Sequence, residues 1–397
     1  NMAAQRAAAL ARYLPQSGWQ PLVIAGEWNK ANCRTYDPAS SRPADEQAVV
    51  ARAPVVSAAA ASRRGLVQRF GDAFRFLSGR YQAPQIWTHA VLREARPLLS
   101  TRRVDALWAS FGPPGAHFCA DKLSQEFGLP WVADFRDVWH AGWRMWRWLV
   151  RQEVRVCRTA QAITTVSPAL VNLLSSRHSQ PVFLVPNGFD ALEFSGEVKQ
   201  GSGKFEIVYA GNIARSIRDP QPLFSALDLL AEREKIDLAK VAVRFVGTKQ
   251  ESLQGLQRFR SAACISRTPW LPRAEAIVAQ RQATILLHLS TPEMKGTMTG
   301  KIFEYLASRR PILSIPGDND CVDDLLRRTK GGTSLAQPEA IAEQLLRWYE
   351  EWEATGTVRW AGEWQEVAKY SRRAQARAVA RILTQACERH AQEGTDA

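Results

Sequence analysis

Apolar positions along the chain recur in two rhythms that take turns. Continuous runs such as "QPLVIAG", "DALWAS", "LPWVADF", "AQAITTVS" and "PVFLVPNG" have the length and the β-branched and aromatic content of buried strands. Between them, "AAQRAAALARYLPQSG" and "AHFCADKLSQEFG" space their apolar residues three and four apart and stop at turn residues, as helices do. The second half repeats the alternation. It runs "FEIVYAG", a helix over 222–234, "KVAVRFVG", the helix "RAEAIVAQ", "ATILLHLS", the helix "GKIFEYLAS" and "RPILSIPG". Strand and helix in strict alternation predict parallel α/β sheets, here two in tandem. The join falls in "NGFDALEFSGEVKQGSGK", where glycine, serine and charge gather, and the boundary is placed near Asp190. The expected domains are 1–190 and 191–362, followed by a closing helical segment, 363–397.

A chain of 397 residues with 46% hydrophobic residues can bury cores for two such domains. Its six cysteines form no C-x-x-C pair and have no clustered histidine, which points away from a disulfide framework and a zinc site and toward a reducing, cytoplasmic setting. No run of eighteen apolar residues and no signal-peptide pattern is present, so the expectation is a soluble or peripheral protein. The charge is uneven. Residues 1–190 hold 23 of the 52 Lys and Arg but only 13 of the 39 Asp and Glu, so most of the net charge of +13 sits in the first half. That half is expected to face an anionic partner: nucleic acid, anionic lipid or a phosphate-bearing substrate.

The stretch "KGTMTGKIFEYLASRRPIL" follows an apolar strand, so the loop 291–300 lies at the carboxyl end of a parallel strand, where open α/β sheets bind ligands. Gly296 and Gly300 let backbone N–H groups approach an anion, Lys301 supplies a point charge, and Glu304, one turn into the helix, can accept two ribose hydroxyls. A capped helix with a solvated Glu304 is the plain structural alternative. On the other half, "SFGPPGAHFCA" puts Pro113, Pro114 and His117 at a strand end, and "ADFRDVW" puts Asp134, Arg136 and Asp137 at the next. His117 is expected to orient an acceptor hydroxyl or touch phosphate, unless it caps its own helix. Arg136 reads as part of an ion-pair network, whereas Asp134 or Asp137 is expected to meet the acceptor. His288, inside an apolar strand, reads as core. "GDNDC" contains Asp318 and Asp320 in a metal-holding spacing, but between a strand and "VDDLLRR" it reads as a turn and helix cap. No metal site is expected.

The segment "TGKIFEYLASRRPIL" resembles the donor site of the family 4 glycosyltransferases, enzymes of the two-domain GT-B architecture. Other pieces agree in order: "VPNGFD" resembles the turn closing the family's first domain, "IVYAGNI" the first strand and glycine of its donor domain, and "LPWVADFRDVW" with "AITTVSPALVNLL" the acceptor-domain strands of its polysaccharide-assembly members. "VAKYSRRAQARAVARIL" resembles the closing helix. The resemblance implies two Rossmann-like domains facing across a cleft, with that helix crossing back to the first. It implies no prosthetic group and a nucleotide-sugar donor, UDP- or GDP-linked. Glu304 would take the ribose, and Gly296, Thr297, Thr299, Gly300 and Lys301 the diphosphate or sugar, with Gly211 allowing close approach. Arg215, Arg218 and Lys301 would neutralise the leaving diphosphate. Two features depart from the family. A second glutamate, eight positions before Glu304, is replaced by Gly296, and the chain starts almost at a helix that a strand and glycine-rich loop normally precede.

The expected activity is sugar transfer to a lipid-linked or polysaccharide acceptor with retention of configuration. The alternatives are a GT-B nucleotide-sugar epimerase, a basic nucleic-acid-binding α/β protein and a catalytically silent scaffold. "VWHAGWRMWRWLVRQEVRVCR" mixes Trp139, Trp143, Trp146 and Trp148 with Arg144, Arg147, Arg151, Arg155 and Arg158, and "SRRGLVQRFGDAFRFLSGRY" adds a second basic-aromatic stretch. Such segments suit the face of an anionic membrane, and the expected location is cytoplasmic, peripheral on the inner face of the cytoplasmic membrane. Core tryptophans with solvated arginines are the alternative.

Overall fold

The computed structural model describes residues 2–27, 49–54, 85–111, 114–139, 147–198, 203–213, 218–293, 295–296 and 298–395. The basic-aromatic stretch 62–81, and positions 140–146 of the tryptophan-arginine stretch, lie outside them. The chain divides into two units, Asn1–Pro186 with Arg372–Ala397, and Asn187–Ser371.

In the first unit the helix Met2–Tyr13 precedes β1 (Leu22–Glu27), which pairs in parallel with β2 (Val49–Pro54) from Leu22 opposite Val49 to Glu27 opposite Pro54. "QPLVIAG" is therefore a strand, but a half-buried one and, among the described residues, in a two-stranded sheet of its own. The helix Gln85–Thr101 covers that pair through Ala90, Val91, Leu92 and Ala95. The main sheet is parallel, in the order β3 (Leu107–Ser110), β4 (Trp131–Phe135), β5 (Ala162–Thr165), β6 (Val182–Leu184). Helices Gly115–Phe127, Arg147–Cys157 and Pro168–Ser175 alternate with its strands. Local sequence sets the ends. Ser167 accepts the Leu170 N–H to start the last of these helices, with Pro168 at its first position, and Gly128 ends the first at φ +64°. All five residues of β4 and all four of β5 are buried, as a parallel strand covered on both faces requires.

The closing helix Arg372–Thr395 belongs to this first unit. Its Ala376, Val379, Ala380, Ile382 and Leu383 pack with Ala9, Leu10 and Tyr13 of the first helix and with Val132 of β4. Gln161 also bonds Glu393, and Cys387 and His390 meet the carbonyls of Asp105 and Gly128.

The second unit is a six-stranded parallel sheet in the order β12-β11-β10-β7-β8-β9. Its strands are β7 (Phe205–Ala210), β8 (Val241–Val246), β9 (Ile265–Thr268), β10 (Ile285–Leu289), β11 (Ile312–Ile315) and β12 (Gly332–Ser334). Helices Gln221–Glu232, Arg273–Gln282, Gly300–Ala307, Cys321–Thr329 and Pro338–Thr355 connect or cover them. β7, β10 and β11 are wholly buried, so the core lies at the centre of the sheet. The strand order reverses between β7 and β10. At such a switch point the loops leaving the two strands diverge and open a crevice at their carboxyl ends. Among the described residues, no helix is long and apolar enough to cross a membrane.

Candidate functional site

The loops after β7 and β10 bring the predicted donor residues together. Gly211, just past β7, has φ +129°, where a side chain is strained, and its amide donates to the Val246 carbonyl. A β-carbon there would stand 2.0 Å from Lys301 Nζ, so the missing side chain is what admits the lysine. Lys301 leaves the N-terminal turn of the helix Gly300–Ala307 and lies 5.0 Å from the centre of the Tyr209 ring, with Nζ 3.5 Å from its hydroxyl. Burial, and after it the nearby Arg218, lower the ammonium pKa to about 8 against the pull of Glu304. An anion placed at this helix N-terminus would favour the protonated form of the lysine.

The loop feeding that helix is pinned from the neighbouring strand's loop. Lys295 Nζ donates to the Asp318 carbonyl at 2.5 Å, and Gly296, at φ +74°, donates its N–H to the Asp320 carboxylate. Thr299 precedes the helix with an extended backbone and makes no side-chain cap bond, and Gly300 is buried at the first helical position. Thr297 and Arg215 lie outside the described residues. Tyr305 ties the helix to the sheet by accepting the Ala210 N–H at 2.8 Å, fixing Lys301 relative to Gly211.

Glu304 is buried and does not stand alone. Arg273 Nη1 donates to its Oε1 at 2.7 Å, and Gln280 approaches Oε2 at 3.5 Å. Arg273 in turn gives Nε and Nη2 to the two oxygens of Glu193, each at 2.7 Å. Sequence reasoning missed Arg273, Glu193, Gln280 and Tyr209. No spacing rule joins residues on three separate elements. The "YAG" that ends at Gly211 is the one local hint of Tyr209.

The predicted acceptor residues behave differently. His117 has no exposed surface. Its Nε2 lies 3.1 Å from the Ala109 carbonyl and 3.3 Å from that of Asp134, while Nδ1 accepts the Trp139 indole N–H at 3.1 Å. Burial lowers its pKa to about 4, so it is a neutral core histidine, and the acceptor or phosphate role expected for it is corrected. Asp134 is likewise withdrawn from substrate. Fully buried, it pairs with Arg6 at 2.9 Å and accepts the hydroxyls of Ser110 and Thr164 at 2.7 Å each. Arg6 also donates to the Val185 carbonyl. Arg136 donates to the Phe111 carbonyl, and among the described residues no carboxylate is paired with it. Asp137 is exposed, Pro114 stands at the N-terminus of the helix Gly115–Phe127, and Pro113 lies outside the described residues. Trp139 is part of the aromatic packing around His117.

His288 is buried with Nδ1 3.0 Å from the Ser314 hydroxyl, and burial, then Lys301 and Arg218, lower its pKa to about 3. Asp318 accepts the N–H groups of Asp320, Val322 and Asp323, the cap that starts the helix Cys321–Thr329. Asp318, Asp320 and Cys321 offer atoms within 4.8 Å of one another, but three backbone amides already occupy the Asp318 carboxylate.

The model of Glycosyltransferase Family 4 matches residues 3–191, the leading segment of the first unit and the first five residues of the second. Over those residues, just under half of the chain, it is similar to the family 4 glycosyltransferases. In shape the chain is similar to the N-terminal domain of trehalose-6-phosphate phosphatase from Candida albicans, at 10% identity and TM-score 0.61, over 96% of this chain and 92% of that one. It is similar to a glycosyltransferase from Rickettsia africae ESF-5 at 12% identity and TM-score 0.58, over 98% and 93%. It is also similar to HepE from Anabaena, solved with UDP and glucose, at 12% identity and TM-score 0.53, over 99% and 96%. No curated protein matches the sequence. At these identities the structural likeness speaks for the fold, which is GT-B, with two parallel α/β domains.

Proposed function

We propose that this family 4-type glycosyltransferase moves a sugar from a nucleotide donor, UDP- or GDP-linked, to a lipid-linked or polysaccharide acceptor with retention at the anomeric carbon. The observation that carries the reading is the convergence of Gly211, Lys301 and Glu304 at the switch point between β7 and β10. As the glycosidic C–O bond breaks, negative charge collects on the departing diphosphate while the sugar becomes cationic. Lys301 and Arg218, with Arg215 three positions earlier in the sequence and the amides around Gly296 to Gly300, take up that charge without a metal ion. Glu304 accepts the ribose hydroxyls. HepE binds UDP and glucose in a fold of this shape, which supports a uridine donor.

A melting screen against UDP, GDP, ADP and their sugars tests this directly, because a ligand that binds only the folded state stabilises it by mass action. One nucleotide diphosphate at 100 times its Kd should add about 2.7 kcal/mol. A chain indifferent to all of them, or stabilised equally by any nucleic acid, would refute the donor assignment.

The acceptor proposal brings the first domain to an anionic membrane. On the described part of its basic stretch, Arg151, Arg155 and Arg158 are exposed and follow one another at helical spacing. Each is expected to contribute about 1 kcal/mol on anionic lipid, with binding that weakens as salt rises. Vesicles containing phosphatidylserine should sediment the protein at low salt and release the variant with all three changed to glutamate. Failure of the unmodified chain to sediment would favour a soluble acceptor.

A further inference from the structure

The ribose carboxylate proposed above is not oriented by its own helix. Glu304 is 9% exposed along its side chain, and among the described residues the cation hydrogen-bonded to it is Arg273, at the start of a different helix. Arg273 is itself clamped, since two of its nitrogens grip both oxygens of Glu193 at 2.7 Å each and leave Nη1 for Glu304. A guanidinium held at two points by one carboxylate has its plane fixed, so the third bond has a set direction. An unheld carboxylate rotates freely about its terminal torsion. With Oε1 taken by Arg273, the orientation of Oε2 is set as well.

We infer that Arg273 is the positioning residue of the ribose site and that Glu193 fixes Arg273, so the preference for a ribose-bearing nucleotide is built by a relay, Glu193 to Arg273 to Glu304, lying outside the donor loop. The inference rests on Glu304 being the ribose acceptor. It adds two residues to that reading, one of them in the segment that opens the second unit, three-residue positions past Asp190.

The test uses UDP and GDP with their 2′,3′-dideoxy analogues, titrated calorimetrically into the full chain. The readout is the affinity ratio of the ribose form to the dideoxy form, which general damage to the fold leaves unchanged because both nucleotides lose affinity together. The unmodified protein should prefer the ribose form of its nucleotide by about tenfold or more, the scale of hydrogen bonds to a charged group. Glu304→Gln should bring the ratio close to one. Arg273→Gln should do nearly the same, and the double variant no more than either alone. Arg273→Lys keeps the charge without the fork and should fall between, and Glu193→Gln should lower the ratio by a smaller factor. If Glu304→Gln collapses the ratio but Arg273→Gln and Glu193→Gln keep it, the relay is wrong while the ribose assignment stands. If Glu304→Gln keeps the ratio, the ribose assignment falls and the relay falls with it.

Discussion

Asp134→Ala is expected to destabilise the first unit by about 3–5 kcal/mol, the cost of leaving a buried charge without its partner. Arg6 is 1% exposed and Asp134 fully buried, so neither can turn to water when the other is lost. The loss extends further, because the hydroxyls of Ser110 and Thr164 donate to the same carboxylate. Removing both charges together, as Arg6→Met with Asp134→Leu, should cost much less than Asp134→Ala alone, since no orphan charge remains. Urea unfolding followed by a tryptophan signal from the first unit measures both. A stability change under 1 kcal/mol in Asp134→Ala would contradict the buried pair, and a raised acceptor KM in the surviving folded protein would restore Asp134 to the substrate.

Lys301→Met is expected to lower kcat/KM by about 10²–10³-fold, the scale on which removing one preorganised donor to a developing anion acts. Methionine keeps the stem beside Gly211 and over the Tyr209 ring, so the fold should survive. The pH dependence separates charge from packing. The buried ammonium has a pKa of about 8, below its ordinary 10.5, so folding favours its neutral form. Keeping it protonated costs stability below about pH 8, and that cost is relieved as pH rises from there toward 10.5. Donor affinity should move the opposite way, falling as pH passes 8 and the positive charge disappears, while bound diphosphate shifts the titration upward. Lys301→Met should show a flat donor affinity across pH 7 to 9. The same assay in EDTA should retain turnover. A metal requirement, or an unchanged kcat/KM in Lys301→Met, would overturn the charge role given to this lysine.

What could be read in advance follows from where each residue's partners lie along the chain. β7, β10 and β11 were legible because central parallel strands are buried on both faces and so are apolar without interruption. β9 was not, since its "ISRT" is a short, partly exposed edge whose alternation looks like loop. The place of Lys301, next to Gly300 at a helix start after a strand's carboxyl end, could be anticipated because glycine, lysine and strand end are local features. The fate of His117 could not. Its place at a strand end was readable, but whether the ring turned outward depended on Trp139 and on carbonyls of two strands. Asp134 was hidden for the same reason, its partner Arg6 being 128 positions away. Arg273 and Glu304 sit 31 apart on successive helices, a distance over which hydrophobic rhythm carries no information about polar pairs.

The discontinuity of the first unit bears on how the protein is made. During synthesis residues up to Pro186 emerge before the second unit, yet Val379, Ile382 and Leu383, which close over Val132 and the first helix, emerge after it. The second unit, Asn187–Ser371, is continuous and has its own core, so it can complete on the ribosome while the first still lacks its cover. The usual vectorial order, in which the leading domain finishes before the next begins, is reversed here. Until the helix Arg372–Thr395 emerges, the first unit therefore carries an uncovered apolar face, and that face is where a chaperone would hold it.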